Sequence, residues 1–355
     1  MGNLGISAWY RAPMGGLQEN IRATALHARS ENFDVRLALP FGPFRDSLLA
    51  QGLGVIGVDF DCEKSLGEAR DYLAPCNVLH AHPGPSRQLL LDLSAKTGAP
   101  LFFTVHGAWV DSIAQYADRL AHVFCVSASI RRRVHSLIPT CHDRISIAPN
   151  GVDFTHFDAP SAVEARTIVV ASRFDADKRN VVDLVRLMWE RQAAEQDFDV
   201  EWIVAGQGTL IGELHEAAES LYSNAGKRLV AFDGWITSPQ LAKRYSEASA
   251  IVAAGRGAME AVAMGRPGIA VGSGGACPLF DMPGLLAATE CNFGGLGSAA
   301  LADLDIPSLW TSLSRASSGG YADFGREGSA FIREHLHVDA INARMFERYR
   351  DVLSA

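Results

Sequence analysis

The sequence predicts an α/β protein with two Rossmann-like domains, each built on a doubly wound parallel sheet, that face a central cleft. Three observations carry this prediction. The chain has 355 residues, which suits two domains better than one. Short apolar runs alternate with segments of helical spacing, which is typical of βαβ units. The alternation breaks once, near residues 152–166, where Asp, Pro and Ser replace the periodic pattern.

The N-terminal half contains seven short apolar runs with the length and composition of buried strands. These runs are Leu4–Trp9, Val35–Leu39, Val55–Asp59, Asn77–His82, Leu101–Val105, Val123–Val126 and Ile145–Ala148. Segments with apolar residues three or four positions apart predict helices between several of them. These segments are Leu17–Ser30, Arg45–Gln51 and Arg87–Lys96. We therefore predict an N-terminal domain over residues 1–155.

The same rhythm restarts in the C-terminal half and predicts a second domain over residues 156–337. Its strands are expected at Thr167–Ala171, Val200–Ala205, Leu229–Phe232, Ala250–Ala253 and Gly268–Val271. Its helices are expected at Val181–Gln192, Leu210–Tyr222, Pro239–Glu247 and Ala258–Met264. Residues 272–298 are rich in Gly and predict a long loop. A last amphipathic helix, at about residues 338–355, could pack on either domain, and we place it on the N-terminal one.

Composition excludes several classes of protein. The formal net charge is −8, which argues against a general nucleic-acid binder because such proteins rely on clustered Lys and Arg. There is no run of about 18 apolar residues, so no transmembrane segment is expected. The six cysteines form no C-x-x-C pair and no zinc spacing, which favours reduced thiols and a cytoplasmic protein. Residues 1–155 hold 14 basic and 14 acidic side chains, so the second half carries the whole acidic excess.

The first candidate site is a glycine pair after the first predicted strand. Ligands of parallel α/β sheets bind at the carboxyl ends of the strands. Gly15 and Gly16 open a helix within the run Pro13-Met14-Gly15-Gly16-Leu17. The amides at a helix N-terminus suit a phosphate or a sugar hydroxyl. Glycine also serves tight turns that bind nothing, which is the alternative for this pair.

Three histidines follow the fourth and fifth predicted strands. His80 and His82 share one strand face, which suggests a metal site. No third ligand has a convincing spacing, so no metal is expected. His106 stands beside Gly107 at a strand end and is better placed to hydrogen-bond a ligand. A core histidine is the alternative there. The triplet Asp59-Phe60-Asp61 is rejected as a metal–nucleotide site because such triplets arise by chance.

The second half offers a pair of cations and two turns. Arg173 follows a strand directly and Lys178 starts the next helix, so the two could neutralise a diphosphate leaving group. Surface charge is the alternative for either side chain alone. Gly206 and Gln207 follow the next strand, and Trp235 with Ile236 follows the one after, in a turn whose backbone could hold a planar base.

A last turn, Gly255-Arg256-Gly257, frees backbone amides at the start of a helix. Glu260 lies on the first turn of that helix. The helix dipole stabilises a carboxylate there, and the carboxylate can accept hydrogen bonds from both hydroxyls of a ribose. A glutamate near a helix N-terminus is common in itself, so a purely structural role is the alternative.

Taken in order, these segments resemble the GT-B glycosyltransferases, most closely glycosyltransferase family 4, from about residue 4 to residue 272. The resemblance rests on the glycine pair and the strand-end histidines of the first half, and on five motifs that follow them. Those five are Pro149-Asn150-Gly151-Val152-Asp153, Ser172-Arg173 with Lys178, Val204-Ala205-Gly206-Gln207-Gly208, Phe232-Asp233-Gly234-Trp235-Ile236, and Glu260-Ala261-Val262-Ala263-Met264-Gly265-Arg266-Pro267.

This resemblance implies a nucleotide-diphospho-sugar donor bound mainly by the C-terminal domain, with the acceptor on the N-terminal domain. Arg173 and Lys178 would hold the diphosphate and Glu260 the ribose. His106 would contact the donor sugar, and Gly16 would lie against the phosphate. The expected activity is transfer of a hexose-type sugar to an acceptor hydroxyl with retention. No cofactor and no divalent metal would be required, because cations and helix ends replace the metal.

One departure affects the donor pocket. The family usually carries a second Glu eight residues before Glu260, and Val252 stands there instead. The retaining outcome is therefore less secure. Two alternatives remain open: a nucleotide-sugar epimerase or hydrolase of the same fold, for which Asp111 is the nearest acid–base candidate, and a non-catalytic binding module. The acceptor could be a small molecule, a glycan or a lipid-linked molecule. Arg131-Arg132-Arg133 suggests a peripheral membrane contact, for which a solvated helix face is the alternative.

Overall fold

The computed structural model describes residues 2–11, 15–158, 166–195 and 200–354. The chain divides into two compact units, Met1–Gly151 with Val338–Ala355, and Val152–His337. Part of the predicted linker, residues 159–165, lies outside the described residues, as do Pro13 and Met14 of the first glycine motif. Among the described residues, no helix combines the length and apolarity that a bilayer crossing needs.

The first unit contains a seven-stranded sheet in which all neighbouring strands are parallel, in the order β3-β2-β1-β4-β5-β6-β7. The strands are β1 (Asn3–Ser7), β2 (Asp34–Pro40), β3 (Gly54–Val58), β4 (Val78–Ala81), β5 (Leu101–Val105), β6 (His122–Cys125) and β7 (Ile145–Ile147). Strand β5 reads LFFTV and is buried along its whole length, as expected for a strand covered on both faces. All seven predicted strands are confirmed within a few residues at their ends.

Five helices connect these strands: α1 (Gly16–Ser30), α2 (Pro43–Ala50), α3 (Glu63–Leu73), α4 (Pro85–Thr97) and α5 (Ala128–Leu137). Short 3-10 turns lie at Ile113–Gln115, Ala117–Arg119 and Pro139–Arg144. Pro43 and Pro85 occupy the first helical position, where a missing N–H costs nothing. Helix α3 is not among the segments that the sequence singled out as helical, and its apolar face is narrow, with Ala69 and Leu73 as its buried residues.

The second unit contains a six-stranded sheet in the order β10-β9-β8-β11-β12-β13. Its strands are β8 (Thr167–Ala171), β9 (Glu201–Ala205), β10 (Val230–Gly234), β11 (Ala250–Ala253), β12 (Gly268–Gly272) and β13 (Gly275–Leu279). Its helices are α6 (Arg179–Ala194), α7 (Ile211–Ala225), α8 (Ser238–Glu247), α9 (Arg256–Ala263), α10 (Met282–Glu290), α11 (Ile306–Ala316) and α12 (Ala322–His335), with 3-10 turns at Ala176–Lys178 and Leu301–Asp303. Five strands are parallel, and β13 pairs antiparallel to β12.

The prediction of a long loop over residues 272–298 is wrong. The segment forms β13 and α10, and its glycines mark close backbone contacts rather than a free loop. A Cβ at Gly274 would lie 1.9 Å from the carbonyl oxygen of Gly295, and a Cβ at Gly272 would lie 2.7 Å from that of Gly294. Glycine-rich sequence therefore reflects two chain segments packed backbone to backbone.

The C-terminal helix α13 (Val338–Ser354) packs on α1 in the first unit. Its Tyr349 is fully buried against Phe102 of β5, with ring centroids 4.6 Å apart. The Thr24 hydroxyl of α1 donates a hydrogen bond to the Asn342 side chain across 3.2 Å. The helix start lies against Gly151, where a Cβ would stand 2.4 Å from the Cα of Val338. Glycine is thus required at the point where the chain leaves this unit.

Candidate functional site

The predicted residues of the second unit follow four neighbouring strands at one edge of its sheet. The last residues of β8, β9 and β11 are in register, since Ala171 pairs with both Ala205 and Ala253. Strand β10 ends beside β9, where Gly234 pairs with Ala205. The turns after β10, β9, β8 and β11 therefore lie side by side at the carboxyl edge, where α/β sheets bind ligands.

Arg173 and Lys178 lie on the turn after β8 and are paired with carboxylates. The Arg173 guanidinium contacts Asp175 at 2.7 Å and Asp177 at 3.2 Å, and the Lys178 ammonium lies 3.3 Å from Asp177. Asp175 also accepts a hydrogen bond from the backbone of Thr209 across 3.2 Å, which links this turn to the next one. No role was predicted for Asp175 and Asp177, although both stand between Arg173 and Lys178 in the sequence.

The close contact between the turns after β8 and β9 requires glycine at positions 206 and 208. A Cβ at Gly206 would lie 1.8 Å from the carbonyl oxygen of Ser172, and one at Gly208 would lie 2.4 Å from the backbone of Phe174. Their φ angles of +142° and +155° add strain for any other residue. The Gln207 side chain is exposed between them. These glycines build the edge of the sheet, whether or not they also touch a ligand.

The turn after β10 presents an exposed indole. Gly234 has a φ of +66°, and its carbonyl accepts a hydrogen bond from the Gly206 amide across 2.7 Å. Trp235 is 40% exposed, and Ile236 beside it is half-buried. Asp233 holds Arg244 of α8 through two contacts of 2.6 and 3.0 Å, which fixes the base of the turn. A flat apolar surface thus stands at the edge next to Gly206.

The turn after β11 places a buried ion pair at the start of α9. Gly255 precedes the helix with φ +52°, and its amide donates to the carbonyl of Phe293 across 2.8 Å. The Arg256 Nε lies 2.5 Å from a Glu260 Oε1, and both side chains are under 10% exposed. Glu260 was predicted on the first turn of this helix, facing a ligand. That position is wrong: Glu260 is the fifth residue of α9 and lies on its second turn, where its carboxylate is held by the predicted neighbour Arg256.

A tyrosine hydroxyl lies beneath this helix start. Burial raises the pKa of Tyr245, and the nearby Glu260 carboxylate acts in the same direction. A Cβ at Gly257 would lie 3.2 Å from the Tyr245 hydroxyl and 3.9 Å from the carbonyl oxygen of Ala171. Gly257 therefore allows the start of α9 to approach the end of β8. This contact brings the start of α9 next to the end of β8, which the turn that carries Arg173 follows.

In the first unit, the glycine pair lies at the start of α1. Gly15 has an extended backbone with φ 178°, and Gly16 is the first helical residue. A Cβ at Gly16 would meet no described atom within 4 Å, and the same holds for Gly107 after β5. The described fold therefore leaves open space over both backbones. Neither packing nor φ accounts for glycine at position 16.

The three histidines form a neutral chain on one face of the sheet. Nδ1 of His82 lies 2.8 Å from Nε2 of His106. The His80 ring stacks on His82, and its nitrogens contact the Tyr349 hydroxyl and, at 2.7 Å, the Thr104 hydroxyl. Burial lowers the pKa of His80 and of His106 to about 3 and that of His82 well below its usual value. The sequence indicated no third histidine near His80 and His82, and the structure brings His106 to them.

Asp111 and the Asp59–Asp61 triplet have local structural contacts. The Asp111 carboxylate accepts a hydrogen bond from the Gly84 amide across 2.8 Å and lies 3.2 Å from Arg87. Asp59 accepts from the amide of Asp61 across 3.2 Å before α3. Among the residues that the structure describes, no three His, Cys, Asp or Glu side chains are grouped as metal ligands.

Known proteins share this fold and part of this sequence. The sequence model of Glycosyltransferase Family 4 matches residues 14–156. No curated protein matches the chain. A glycosyltransferase from Rickettsia africae ESF-5 has 14% identity and a TM-score of 0.75, over 99% of this chain and 98% of its own. Anabaena HepE in complex with UDP and glucose has 14% identity and a TM-score of 0.74, over 99% of this chain and 100% of its own.

A third solved structure extends the comparison. Sucrose-phosphate synthase from Thermosynechococcus elongatus has 16% identity and a TM-score of 0.70, and each chain is covered over its full length. Such identities establish the fold alone. The parallel sheets of both units agree with it, and the match over residues 14–156 includes the glycine pair and all three histidines. The chain therefore has the GT-B fold, and it resembles the GT-B glycosyltransferases of Glycosyltransferase Family 4, whose model its N-terminal part matches.

Proposed function

We propose that the protein transfers a hexose-type sugar from a nucleotide diphosphate to an acceptor hydroxyl, with retention and without a divalent metal. One observation carries the proposal. Two cations, Arg173 and Lys178, stand on the turn that follows β8, and a carboxylate, Glu260, stands on the second turn of α9, the helix that begins after the adjacent strand β11. Arg173 and Lys178 can bind a diphosphate, and Glu260 can accept hydrogen bonds from the two hydroxyls of a ribose.

The cations stabilise the charge that forms as the donor breaks. When the bond between the sugar and the diphosphate lengthens, negative charge grows on the leaving phosphate. Donors that are already aimed at that position stabilise the transition state more than the ground state. Arg173 offers a planar fork and Lys178 a compact charge, so together they supply what a divalent metal would otherwise supply.

Because aspartate carboxylates already pair with the two cations, an incoming phosphate would have to replace those carboxylates. Arg173, Lys178, Asp175 and Asp177 carry no net charge as a group. Exposed ion pairs contribute about 0–1 kcal/mol, whereas hydrogen bonds to charged groups contribute about 1.5–3 kcal/mol. Arg173 and Asp177 are both at least a third exposed, so phosphate oxygens can replace the carboxylates at small cost. The aspartates therefore hold the cations in place until the donor binds.

The first unit supplies the sugar contact and the acceptor surface in this proposal. His106 is neutral and its Nε2 contacts His82, so its Nδ1 offers either an N–H or a lone pair to a sugar hydroxyl. The open space over Gly16 allows a phosphate to approach the backbone amides of α1. Phe41 after β2 and Trp109 after β5 are 60% and 51% exposed at the same edge. Such flat faces can stack on an acceptor that is a glycan, a small molecule or a lipid-linked sugar.

Two observations oppose the alternatives. An epimerase or hydrolase needs an acid–base carboxylate beside the sugar, and its candidate Asp111 is instead bound to Gly84 and Arg87. For a non-catalytic module, the opposing observation is that both cations stand on the turn where the charge of a leaving diphosphate would form, and a donor that binds without sugar transfer would establish that module instead. The six free cysteines support a reduced compartment, and we place the activity in the cytoplasm.

The test begins with thermal shift against UDP-, GDP-, ADP- and dTDP-sugars. The best donor is then incubated alone, with a panel of acceptors, and with a chelator. We expect sugar transfer that needs an acceptor, that persists with the chelator, and whose product keeps the anomeric configuration by proton NMR. Isomerised or hydrolysed donor without an acceptor would establish the epimerase or hydrolase instead. Loss of turnover with the chelator would contradict metal independence, and an inverted anomer would contradict retention.

A further inference from the structure

Two thiols face each other behind the Gly255 turn. Cys277 lies on β13 and Cys291 directly follows α10, and their Sγ atoms are 3.2 Å apart. Both residues are buried, at 7% and 4% exposure. A disulfide bond is about 2 Å long, so closing it requires the two sulfurs to approach by roughly 1 Å. The pair is thus close to bonding distance while both thiols are free.

The surroundings of the pair favour reaction at Cys291. The Ser298 hydroxyl donates to the Cys291 sulfur across 3.1 Å. The Cys277 thiol, the Ser298 hydroxyl and the backbone amides of Gly294 and Phe293 all lower the pKa of Cys291, and the thiol of Cys277 contributes most. The same contact raises the pKa of Cys277. The hydrogen bonds point the same way, because the Ser298 hydroxyl donates to the Cys291 sulfur and accepts from the Cys277 thiol, which favours the thiolate, the nucleophilic form of a thiol, at Cys291.

A metal does not account for this arrangement. Structural zinc sites take four ligands, and catalytic sites take three from the protein. Within the described part of the chain, no third His, Cys, Asp or Glu joins the two sulfurs as a potential ligand. A low-pKa cysteine beside a second cysteine is instead the arrangement of a redox-responsive pair, in which the second thiol resolves the first.

The backbone next to Cys291 also holds the candidate donor site. The carbonyl of Phe293 accepts the hydrogen bond from the Gly255 amide, and the carbonyl of Gly294 accepts one from Gly274 across 3.0 Å. Asn292 and Phe293 both have φ +55°, a conformation that non-glycine residues hold only under local constraint. Phe293 follows Cys291 by two residues and contacts the turn that starts α9. A shift of Cys291 therefore also moves the backbone that contacts this turn.

We propose that Cys277 and Cys291 form a redox-sensitive site, in which a hydroperoxide converts the two thiols to a disulfide and thereby weakens binding at the Gly255 turn. The Cys291 thiolate attacks the peroxide oxygen, the O–O bond breaks, and a sulfenic acid forms as hydroxide or alkoxide leaves. The Cys277 sulfur then attacks the Cys291 sulfur and expels water. Overall two thiols and one hydroperoxide give one disulfide, one water and one water or alcohol.

The size of the reagent fits the site. Both sulfurs are nearly covered, so a small peroxide reaches them more readily than a bulky disulfide such as oxidised glutathione. A disulfide of this kind in a cytoplasmic protein is transient and regulatory rather than structural. Closing the bond displaces Cys291 and, with it, the backbone whose Phe293 carbonyl holds the Gly255 amide. The part of the proposal that concerns ligand binding rests on the proposed function, whereas the oxidation itself does not.

The first experiment tests the bond without any nucleotide. Both cysteines lie between Arg266 and Arg315, a stretch with no other Lys or Arg, so one tryptic peptide contains them. Reduced protein is treated with hydrogen peroxide, alkylated under denaturing conditions and digested. We expect this peptide to escape alkylation and to lose the mass of two hydrogen atoms, reversibly with dithiothreitol. Two alkylated thiols, or added oxygen on Cys291 without the cross-link, would overturn the proposal.

The second experiment tests the link to binding. Affinity for the preferred nucleoside diphosphate is measured by calorimetry on reduced and oxidised protein. We expect binding at least about fivefold weaker after oxidation, restored by dithiothreitol. Cys277→Ala and Cys291→Ala should each bind nucleotide and lose the response to peroxide, and Cys76→Ala, which removes a buried cysteine of the first unit, should keep it. Equal affinity in both redox states would overturn the link, and absence of nucleotide binding in reduced protein would instead overturn the proposed function.

Discussion

Nδ1 of His82 and Nε2 of His106 lie 2.8 Å apart at the carboxyl edge of the first sheet. Burial keeps both rings neutral at physiological pH, so one ring donates an N–H and the other accepts it. The tautomer of His106 is therefore tied to that of His82. A histidine that is to present a defined N–H or lone pair to a sugar needs such a partner.

The first prediction concerns His82 as a positioning residue. His82→Phe removes the partner of His106 while it keeps a ring of similar size. Loss of a hydrogen bond worth about 1 kcal/mol predicts a fall of roughly fivefold in kcat, with nucleotide affinity unchanged. Nitrogen NMR of the imidazole rings should show a changed tautomer of His106. His82→Asn, whose amide occupies the position of Nδ1, should restore part of the rate.

The matched control for His82 is His122→Phe. His122 is also a buried, neutral strand histidine, and its Nε2 lies 2.8 Å from the Ser146 hydroxyl, but neither residue is placed in the site. An equal loss of kcat in His122→Phe, or an unchanged His106 spectrum in His82→Phe, would contradict the positioning role.

The second prediction concerns the two cations. Arg173→Ala and Lys178→Ala each remove a donor aimed at the leaving phosphate. Removing one donor of this kind typically lowers kcat by about 10²–10³-fold. Arg228→Ala is the control, because Arg228 is an exposed arginine that precedes β10 and pairs with Glu219 of α7 at 3.0 Å, outside the candidate site. Steady-state rates within a factor of two of the parent in both site variants would refute the assignment.

The third prediction concerns the acidic partner of these cations. Asp177→Asn removes a carboxylate that competes with phosphate for Arg173 and Lys178, so it should tighten nucleotide binding by a few-fold. Asp183→Asn is the control, because it removes the same charge from α6 beside Arg179, which we have not placed in the site. Calorimetry at low salt should show tighter binding for Asp177→Asn alone. Weaker binding in that variant would contradict the exchange of the Asp177 carboxylate for phosphate oxygens.

The fourth prediction separates stability from binding at Glu260. Glu260→Ala leaves the Arg256 charge buried, so it should cost about 3–5 kcal/mol of stability and also weaken nucleotide binding. Replacing both Arg256 and Glu260 by Met should restore most of the stability, because the pair is removed together. Nucleotide affinity should stay low in the double variant, since the ribose acceptor is gone. Recovery of affinity together with stability would show that Glu260 has only a structural role.

The fifth prediction concerns acid stability of the first unit. His80 and His122 are buried, with pKa values lowered to about 3 and about 4, while an unfolded histidine titrates near 6.5. Between pH 6.5 and about 4 the unfolded chain binds more protons, so stability falls as pH falls. In this range each histidine makes the free energy of unfolding fall by about 1.4 kcal/mol for each pH unit of acidification. Urea unfolding at several pH values should show His122→Leu to have the shallower dependence, and an unchanged slope would refute this account.

The strands of both sheets could be predicted because they are buried on two faces and read as unbroken apolar runs. Strand β5 and strand β8 have the predicted bounds, Leu101–Val105 and Thr167–Ala171. Strand β13 could not be predicted, because the sequence GACPL holds a Gly and a Pro and pairs along an antiparallel edge. Only the contact of two glycine-rich backbones in space explains it, and local periodicity carries no such signal.

The position of a candidate site residue at the edge of a sheet could be predicted where that residue closely follows a strand. Arg173, Gly206 and Gly255 are of this kind, since each directly or nearly follows a strand end. The pairings within the site could not be predicted, because they join side chains from different turns and strands. For His82 and His106 a signal did exist, since both stand at the ends of strands that are parallel neighbours. The pairing of Glu260 with Arg256 also had a signal, because the two residues are four positions apart on one helix.

The most direct test of the central claim is calorimetric titration of the preferred nucleoside diphosphate into the parent protein and into the Arg173→Ala/Lys178→Ala double variant. Two hydrogen bonds to charged groups, at about 1.5–3 kcal/mol each, predict an affinity at least about 100-fold lower in the double variant. The parent should bind one equivalent, and Arg228→Ala should bind like the parent. Equal affinity in the double variant, or no binding of any nucleoside diphosphate to the parent, would contradict the account.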